Sequence, residues 1–338
     1  MYDEFCIQQQ TRADEHLARF LQANPGCSLD HGRPRWLKGT HLVTFGAWGG
    51  KPAVYKYYDG DPRKEHERHA LTLLEPTGLV PRIFGQTDRM LVMERLPGST
   101  MEEAEKSLNE AERETLYVRL GEAVAKVVKA APGRDAAPRP GTPFRAADPR
   151  DFYDTPFDAL IALYRQADTA TFFDVTVTRA ARAMRDRDVP RKDTLRRSLN
   201  ALQENRDAIL GYPSFVHMDD FHTNNVMADG PRITGFIDLE MTRYGNEVLL
   251  LGAALSAMSR RPGRWPPLRR GYEHARGVPM DDGLLSLLPA AAPFSRWIRF
   301  TWYWSTDLLP WWAKEGDLRS SAVREIVETV EAVECMDP

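Results

Sequence analysis

Residues 214–240 read SFVHMDDFHTNNVMADGPRITGFIDLE, a mostly apolar frame in which two aspartates and then two asparagines are doubled. The runs VMA and ITGFI favour strands, and the DGPR between them has the chemistry of a tight turn. A hairpin brings the open ends of its strands together, so Asp220 and Asn225 at one end would meet Asp238 at the other. A carboxylate, an amide oxygen and a second carboxylate form an oxygen-only site. Magnesium takes such ligands and fills its remaining positions with waters and substrate phosphates. A carboxylate outside the metal shell can orient a hydroxyl and accept its proton. An ordinary polar hairpin would carry the same residues, and the hairpin alone favours that plainer reading.

The elements that would position such a site lie mostly upstream. Leu17, Phe20 and Leu21 mark one face of a helix over residues 12–24. The segment THLVTFGAWGGKPAVYKYY then holds two β-favouring runs around the turn WGGK. Lys56 sits in the middle of the second run, where an isolated lysine would ordinarily face solvent from an edge strand. Pro62 opens and Pro76 with Gly78 closes a helix whose Glu67, Leu71 and Leu74 share a face. Glu65 points about 200° away from Glu67 on that helix. PRIFGQT and RMLVMERL are two further strand-like runs, the second closed by Pro97 and Gly98. This order predicts an α+β protein whose first lobe, residues 1–96, is a small antiparallel sheet with one helix after its leading helix. The remainder, 97–338, reads as a larger and mainly helical lobe. Ser99 or Thr100 can cap a helix with the acidic first turn MEEAE. Residues 132–150 are rich in Pro, Gly and Ala and read as an extended excursion. Helical patterns follow near 151–167, 171–187 and 191–209, and a helical tail runs to about 333.

The two halves together resemble the aminoglycoside phosphotransferase and choline kinase-like family, which shares the bilobal protein kinase fold. Its loop reads roughly His-Gly-Asp-Leu-His-Pro-Gly-Asn before an apolar strand and an Ile-Asp-Trp/Phe-Glu segment. MDDFHTNNVM and FIDLE correspond to these here, and the matching motifs cover about residues 36–98 and 213–260. Asp219 with Asn224 and Asp220 with Asn225 keep the same spacing, and the strand separates the two registers. In the family the metal-binding Asn directly precedes the strand, as Asn225 precedes Val226. The resemblance therefore implies Asp220 as the catalytic carboxylate and Asn225 and Asp238 as magnesium ligands. It implies Lys56 as the phosphate-binding lysine with Glu67 as its partner. LVMERLPGS would be the hinge, with Met93 behind the adenine and backbone groups of Glu94 to Leu96 at its edge. Glu240 falls where the family often has an acidic residue near substrate or metal. Asp219 and His222 remain loop residues available to the substrate. Met218 stands where the family has a histidine, and His217 lies one residue too early. YGNEVLLL replaces the family's Gly-Asp-Pro turn and brings Asn246 and Glu247. The nucleotide loop is expected between Gly39 and Gly46.

The implied activity is transfer of the γ-phosphate of ATP or GTP to a hydroxyl of a small molecule. An antibiotic of the aminoglycoside or nucleoside type is the first expectation, and a primary metabolite such as choline, homoserine or a sugar the alternative. A non-catalytic binding protein of this fold would be expected to lose Lys56, Asp220, Asn225 or Asp238, and all four are present. The His-Arg-Asp, Asp-Phe-Gly and Ala-Pro-Glu set of protein kinases is missing. With 45 basic and 48 acidic residues, net charge −3, no global field recommends nucleic acid. The longest apolar run falls short of the roughly 20 residues of a membrane span. Cys6, Cys27 and Cys335 are scattered and fit reduced thiols, so the expectation is a cytoplasmic monomer or weak dimer. The tail holds Trp297, Trp302, Trp304, Trp311 and Trp312, which suit either core packing or stacking on a ring-bearing ligand. A polycationic acceptor would instead want carboxylates, for which Glu240, Glu247 and Asp307 are candidates.

Overall fold

The computed structural model of the chain describes residues 2–31, 36–38, 41–61, 63–130, 168–218, 220–304 and 315–335. Helix α1 (Tyr2–Ala23) leads into β1 (Cys27–Leu29), β2 (Trp36–Lys38), β3 (His41–Trp48) and β4 (Lys51–Tyr57). Helix α2 (Arg63–Leu74), β5 (Ile83–Gln86) and β6 (Met90–Glu94) follow. The strands make one antiparallel sheet in the order β1-β3-β4-β6-β5, and β2 pairs with β3 beside β1. Gly49 and Gly50, with φ of 53° and 78°, form the two-residue turn between Trp48 and Lys51. That left-handed pair is the backbone a tight hairpin needs, and glycine adopts it without steric cost.

Strand alternation then sorts β4. Tyr55 and Tyr57 pack with Ala13 and Leu17 of α1, while Val54 and Tyr58 pack on the opposite side with the main core. Lys56 shares the face of Val54 and Tyr58 and is therefore carried inward, on a central strand. Helix α1 begins well before the expected residue 12, and its stretch from Ala13 onward packs against the sheet. Gly46 is not part of a loop. It lies mid-strand opposite Leu29 and Ala53, and a Cβ there would come 1.9 Å from the Ser28 carbonyl oxygen. Of the expected nucleotide loop, residues 41–46 are strand, and Gly39 and Thr40 lie outside the described residues.

Beyond β6 the chain enters a second set of elements. Strand β7 (Ser99–Thr100) pairs with β9 (Val226–Asp229), which pairs with β10 (Arg232–Phe236). Strand β8 (Ser214–Met218) pairs with β11 (Thr242–Asn246). The helices are α3 (Met101–Lys106), α4 (Glu110–Ala130), α5 (Thr169–Asp186), α6 (Lys192–Glu204) and α7 (Arg206–Leu210). Then come α8 (Glu247–Met258), α9 (Trp265–Arg276), α10 (Asp282–Ala291), α11 (Phe294–Trp304) and α12 (Glu315–Glu334). Thr100 is the cap of α3, accepting from the Glu103 amide. Helix α8 is buried on nearly every side and forms the centre of the helical lobe. Trp297 is fully buried and donates its indole N–H to Ser198 at 3.0 Å, and Trp304 donates to the Arg319 carbonyl at 3.1 Å. The half-buried Trp302 packs against the same core, so the described tryptophans of this segment are packing residues. Trp311, Trp312, Asp307, the excursion 132–150 and the helix expected at 151–167 lie outside the described residues. The architecture is an α+β bilobal one: an antiparallel sheet lobe followed by a mainly helical lobe.

Candidate active site

Lys56 is 5% exposed and its ammonium donates to Glu67 Oε2 at 2.6 Å, Asp238 Oδ1 at 2.6 Å and Glu240 Oε2 at 2.9 Å. Glu67 comes from the inner face of α2 and also accepts from the Tyr58 hydroxyl. Glu65, on the outer face, pairs instead with Lys64 and Arg68. Burial alone would pull the ammonium's pKa down. Asp238, Glu240 and Glu67 outweigh it and hold Lys56 well above the ordinary lysine range. Burial pushes Glu67 up, with only partial relief from Lys56. Glu240 goes the other way: burial would raise it, but Lys56, His41 and Arg63 keep its carboxyl well below the usual range. Its Oε2 lies 3.0 Å from His41 Nδ1 and its Oε1 accepts from Arg63 at 3.2 Å. Glu240, considered for the acceptor in sequence, is thus turned into the lysine cluster.

The loop after β8 supplies the rest. A short 3-10 turn at Thr223–Asn225 starts from His222, whose Nδ1 accepts from the Asn224 amide at 3.2 Å. Asn225 is buried, and its Nδ2 donates to the Asp220 carbonyl at 3.0 Å and to Asp220 Oδ2 at 3.2 Å. The Ile237 amide donates to the Asn225 carbonyl at 2.9 Å, which fastens the loop to the end of β10. Asp238 follows in the left-handed region, φ 61° and ψ 49°. For a residue with a Cβ that conformation costs roughly 1–2 kcal/mol, so the fold is spending stability to direct this carboxylate at Lys56. Asp220, His222, Asn225 and Asp238 line one cleft, floored by Phe221 and Phe236. The doubled partner Asp219 lies outside the described residues; His217 has its backbone in β8 opposite Arg243.

The donors fit a magnesium ion. Asn225 spends its amide nitrogen on Asp220, leaving an oxygen as its acceptor, and Asp238 adds a carboxylate at the same cleft. Glu67, Asp238 and Glu240 present oxygens within 4.8 Å of one another around a single ammonium, a local negative excess that a dication would balance.

Asp220 has a neighbour that sequence reading did not find. Its Oδ2 faces His222 Nε2 at 3.4 Å, and its Oδ1 lies 3.8 Å from Nη2 of Arg299 on α11. Arg299 also donates to both oxygens of Glu325 at 3.0 Å. Burial pulls its guanidinium down, and Glu325 and Asp220 more than restore it. Nothing in the spacing of the tail's arginines marks one of them as meeting a loop so far upstream.

At the end of β6, Met93 is buried opposite Val54, and the Glu94 carboxylate pairs with Arg82 at 3.0 Å. The Glu94 amide donates to the Arg82 carbonyl and the Arg95 amide to Pro52. The Leu96 amide has no hydrogen-bond partner among the described residues. Asn246 and Glu247 brace the helical lobe. Asn246 caps α8 and donates to the Ile209 carbonyl at 2.7 Å, while Glu247 accepts from Tyr272 and Arg276.

A sheet lobe with a buried lysine–glutamate pair, facing a loop that gathers Asp, Asn and Asp at one cleft, defines a kinase-like phosphotransferase. The chain belongs to the phosphotransferase enzyme family, whose model matches residues 43–294. It is accordingly a small-molecule O-phosphotransferase. Its fold is similar to that of a macrolide 2′-phosphotransferase from Brachybacterium faecium, at 18% identity over 90% of this chain and 96% of that one, TM-score 0.54. It is also similar to an ethanolamine kinase from Plasmodium vivax, at 11% identity over 87% and 81%, TM-score 0.56. An aminoglycoside 2″-phosphotransferase in ternary complex with streptomycin and ATP gives 14% identity over 94% and 98%, TM-score 0.56. None of the curated proteins matches the chain in sequence. Among the described residues, no helix is long and apolar enough to cross a membrane.

Proposed function

We propose that this chain transfers the γ-phosphate of ATP or GTP to a hydroxyl of a small molecule, as a cytoplasmic monomer or weak dimer without nucleic-acid or membrane partners. One observation carries the reading: Lys56 joins Glu67 to Asp238 at the same cleft where Asn225 holds Asp220. Asp220 orients the acceptor hydroxyl and takes its proton, and Asn225 fixes that carboxylate's orientation. Lys56 trades part of its carboxylate shell for nucleotide phosphate oxygens, with Glu67 keeping it aimed. Magnesium held by Asn225 and Asp238 would supply charge neutralisation at the phosphates. Residues 94–96 are the hinge between lobes 1–96 and 97–338; Met93 closes the back of the adenine pocket and the Leu96 amide meets the adenine edge.

The acceptor is a hydroxylated antibiotic in the first reading. The folds of macrolide and aminoglycoside phosphotransferases favour this, and that of an ethanolamine kinase favours the second reading, a primary metabolite. Transfer from Mg-ATP and Mg-GTP to a panel of both kinds is the test, run on wild type, Asp220→Asn and Asp219→Asn. Asp220→Asn should lower turnover about 10²–10⁴-fold, the usual worth of a general base. Near-normal turnover in Asp220→Asn with loss in Asp219→Asn would move the catalytic role one residue back.

A further inference from the structure

The acceptor side of Asp220 is built from arginine rather than from carboxylate. Arg296, Arg299 and Tyr303 stand three and four residues apart on α11, one helix face. Arg299 brings Nη2 to 3.8 Å from Asp220 Oδ1, the oxygen opposite the one that Asn225 and His222 face. Its side chain keeps 33% exposure beside the cleft, with one edge of the guanidinium anchored on Glu325 and the other turned toward Asp220. Arg296 lies behind it, donating to Ser256 and 3.7 Å from Glu325.

The described carboxylates that the sequence offered to a polycation, Glu240 and Glu247, are committed elsewhere. Glu240 is held by Lys56, His41 and Arg63, and Glu247 by Tyr272 and Arg276. Glu325 receives Arg299 through both oxygens. An ammonium group brought to Asp220 would meet a guanidinium at contact distance, which is repulsive in a partly desolvated corner. A carboxylate or phosphate would meet the Nη2 donors of a guanidinium whose other edge Glu325 already orients.

We propose that Arg299 reads the acceptor, and that the hydroxyl offered to Asp220 belongs to a molecule carrying a carboxylate or phosphate group beside it. The proposal rests on Asp220 being the acceptor-facing carboxylate. The full-length chain with Mg-ATP is assayed for phosphoryl transfer to three matched sets of polyhydroxylated compounds: sugar acids, sugar phosphates and amino sugars. Transfer confined to the anionic sets supports the proposal, and which of the two is used identifies the anion. With that acceptor, Arg299→Gln should raise KM about ten- to a hundredfold, as loss of a charge-assisted hydrogen bond does, with kcat nearly kept and partial recovery in Arg299→Lys. Transfer to an amino sugar overturns the proposal. So does no transfer to any anionic compound, or a loss confined to kcat, which would put Arg299 on the transferring phosphoryl instead. Asp220→Asn run alongside keeps the two readings apart. Transfer to amino sugars that still needs Asp220 sinks only the acceptor class, whereas transfer indifferent to Asp220 sinks the catalytic assignment.

Discussion

Lys56 is one ammonium among three carboxylates, and the geometry distinguishes their tasks. Glu67 shares its lobe and stays with it, while Asp238 and Glu240 reach across from the other. Glu67→Gln should therefore loosen the lysine's aim and lower kcat/KM about ten- to a hundredfold, the worth of one charge-assisted hydrogen bond. Glu65→Gln, on the outer face, should change it little, and equal losses in both variants would sink the pairing. Asp61 offers a test in pH. Burial would raise its carboxyl, but His41 standing 3.5 Å away and the paired Arg63 guanidinium outweigh that and hold it well below the usual carboxylate range. A depressed folded pKa contributes stability above the unfolded value of about 3.9 and loses it as pH falls below that value toward the folded pKa. The Tm gap between wild type and Asp61→Asn should thus be full at pH 6 and shrink steadily below about pH 4. A gap that widens on acidification would show the sign to be wrong. These partners differ in legibility. The face that carries Glu67 can be read from helix spacing, a local periodicity, whereas local pattern alone turns Lys56 outward and only the family resemblance turns it inward. His41 and Arg299 cannot be read, nor can the reach of Arg63 to Glu240, since each meets a carboxylate through a tertiary contact that no local pattern encodes.

Helices α4 and α9 cross so closely that backbone touches backbone. A Cβ at Gly121 would come 1.9 Å from the Leu268 carbonyl oxygen, and one at Gly271 1.9 Å from the Val118 carbonyl oxygen. The relation is reciprocal, so neither helix can yield without the other shifting. Gly121→Ala and Gly271→Ala should each destabilise by about 1–3 kcal/mol despite the better helix propensity of alanine. Differential scanning calorimetry reads this as a fall in Tm of several degrees, and an unchanged or raised Tm in both variants would contradict the crossing. The run LYVRLGEAVAKVVKAA carries apolar residues at helical spacing, and nothing within it explains Gly121. The helix is legible from its period and the reason for its glycine is not, because that reason lies on α9. Strands follow the same division. Strands β3, β4 and the β9–β10 hairpin announce themselves by length and turn chemistry. Strands β1, β2, β7 and β11 are two to five residues long and exist through their partners.

Among the described residues the lobes are joined by the chain passage 95–98, by the Phe236 amide donating to the Leu79 carbonyl, and by an ionic tie in which Lys56, Arg63 and His41 grip Asp238 and Glu240. The bilobal order was legible because sheet-forming and helix-forming patterns occupy different parts of the chain. The tie was not, because it depends on Asp238 adopting a left-handed backbone that its sequence context does not announce. The tie also sets what nucleotide must do. Any phosphate that recruits Lys56 removes a counterion from Asp238 and Glu240, and the stranded charge then has to be met by a divalent cation. Nucleotide and magnesium should therefore bind cooperatively, each weakly alone. At about a hundred times Kd, Mg-nucleotide should stabilise the chain by about 2.7 kcal/mol, a rise in Tm of roughly four degrees for a chain of this length. ATP with EDTA, or magnesium alone, should give a small fraction of that rise. Asp238→Asn removes the carboxylate that needs the cation, so it should abolish the synergy while leaving the folded lobes intact by circular dichroism. Should the full rise persist in Asp238→Asn and in EDTA, the nucleotide would be held by the hinge alone, and the metal roles of Asn225 and Asp238 would fall together.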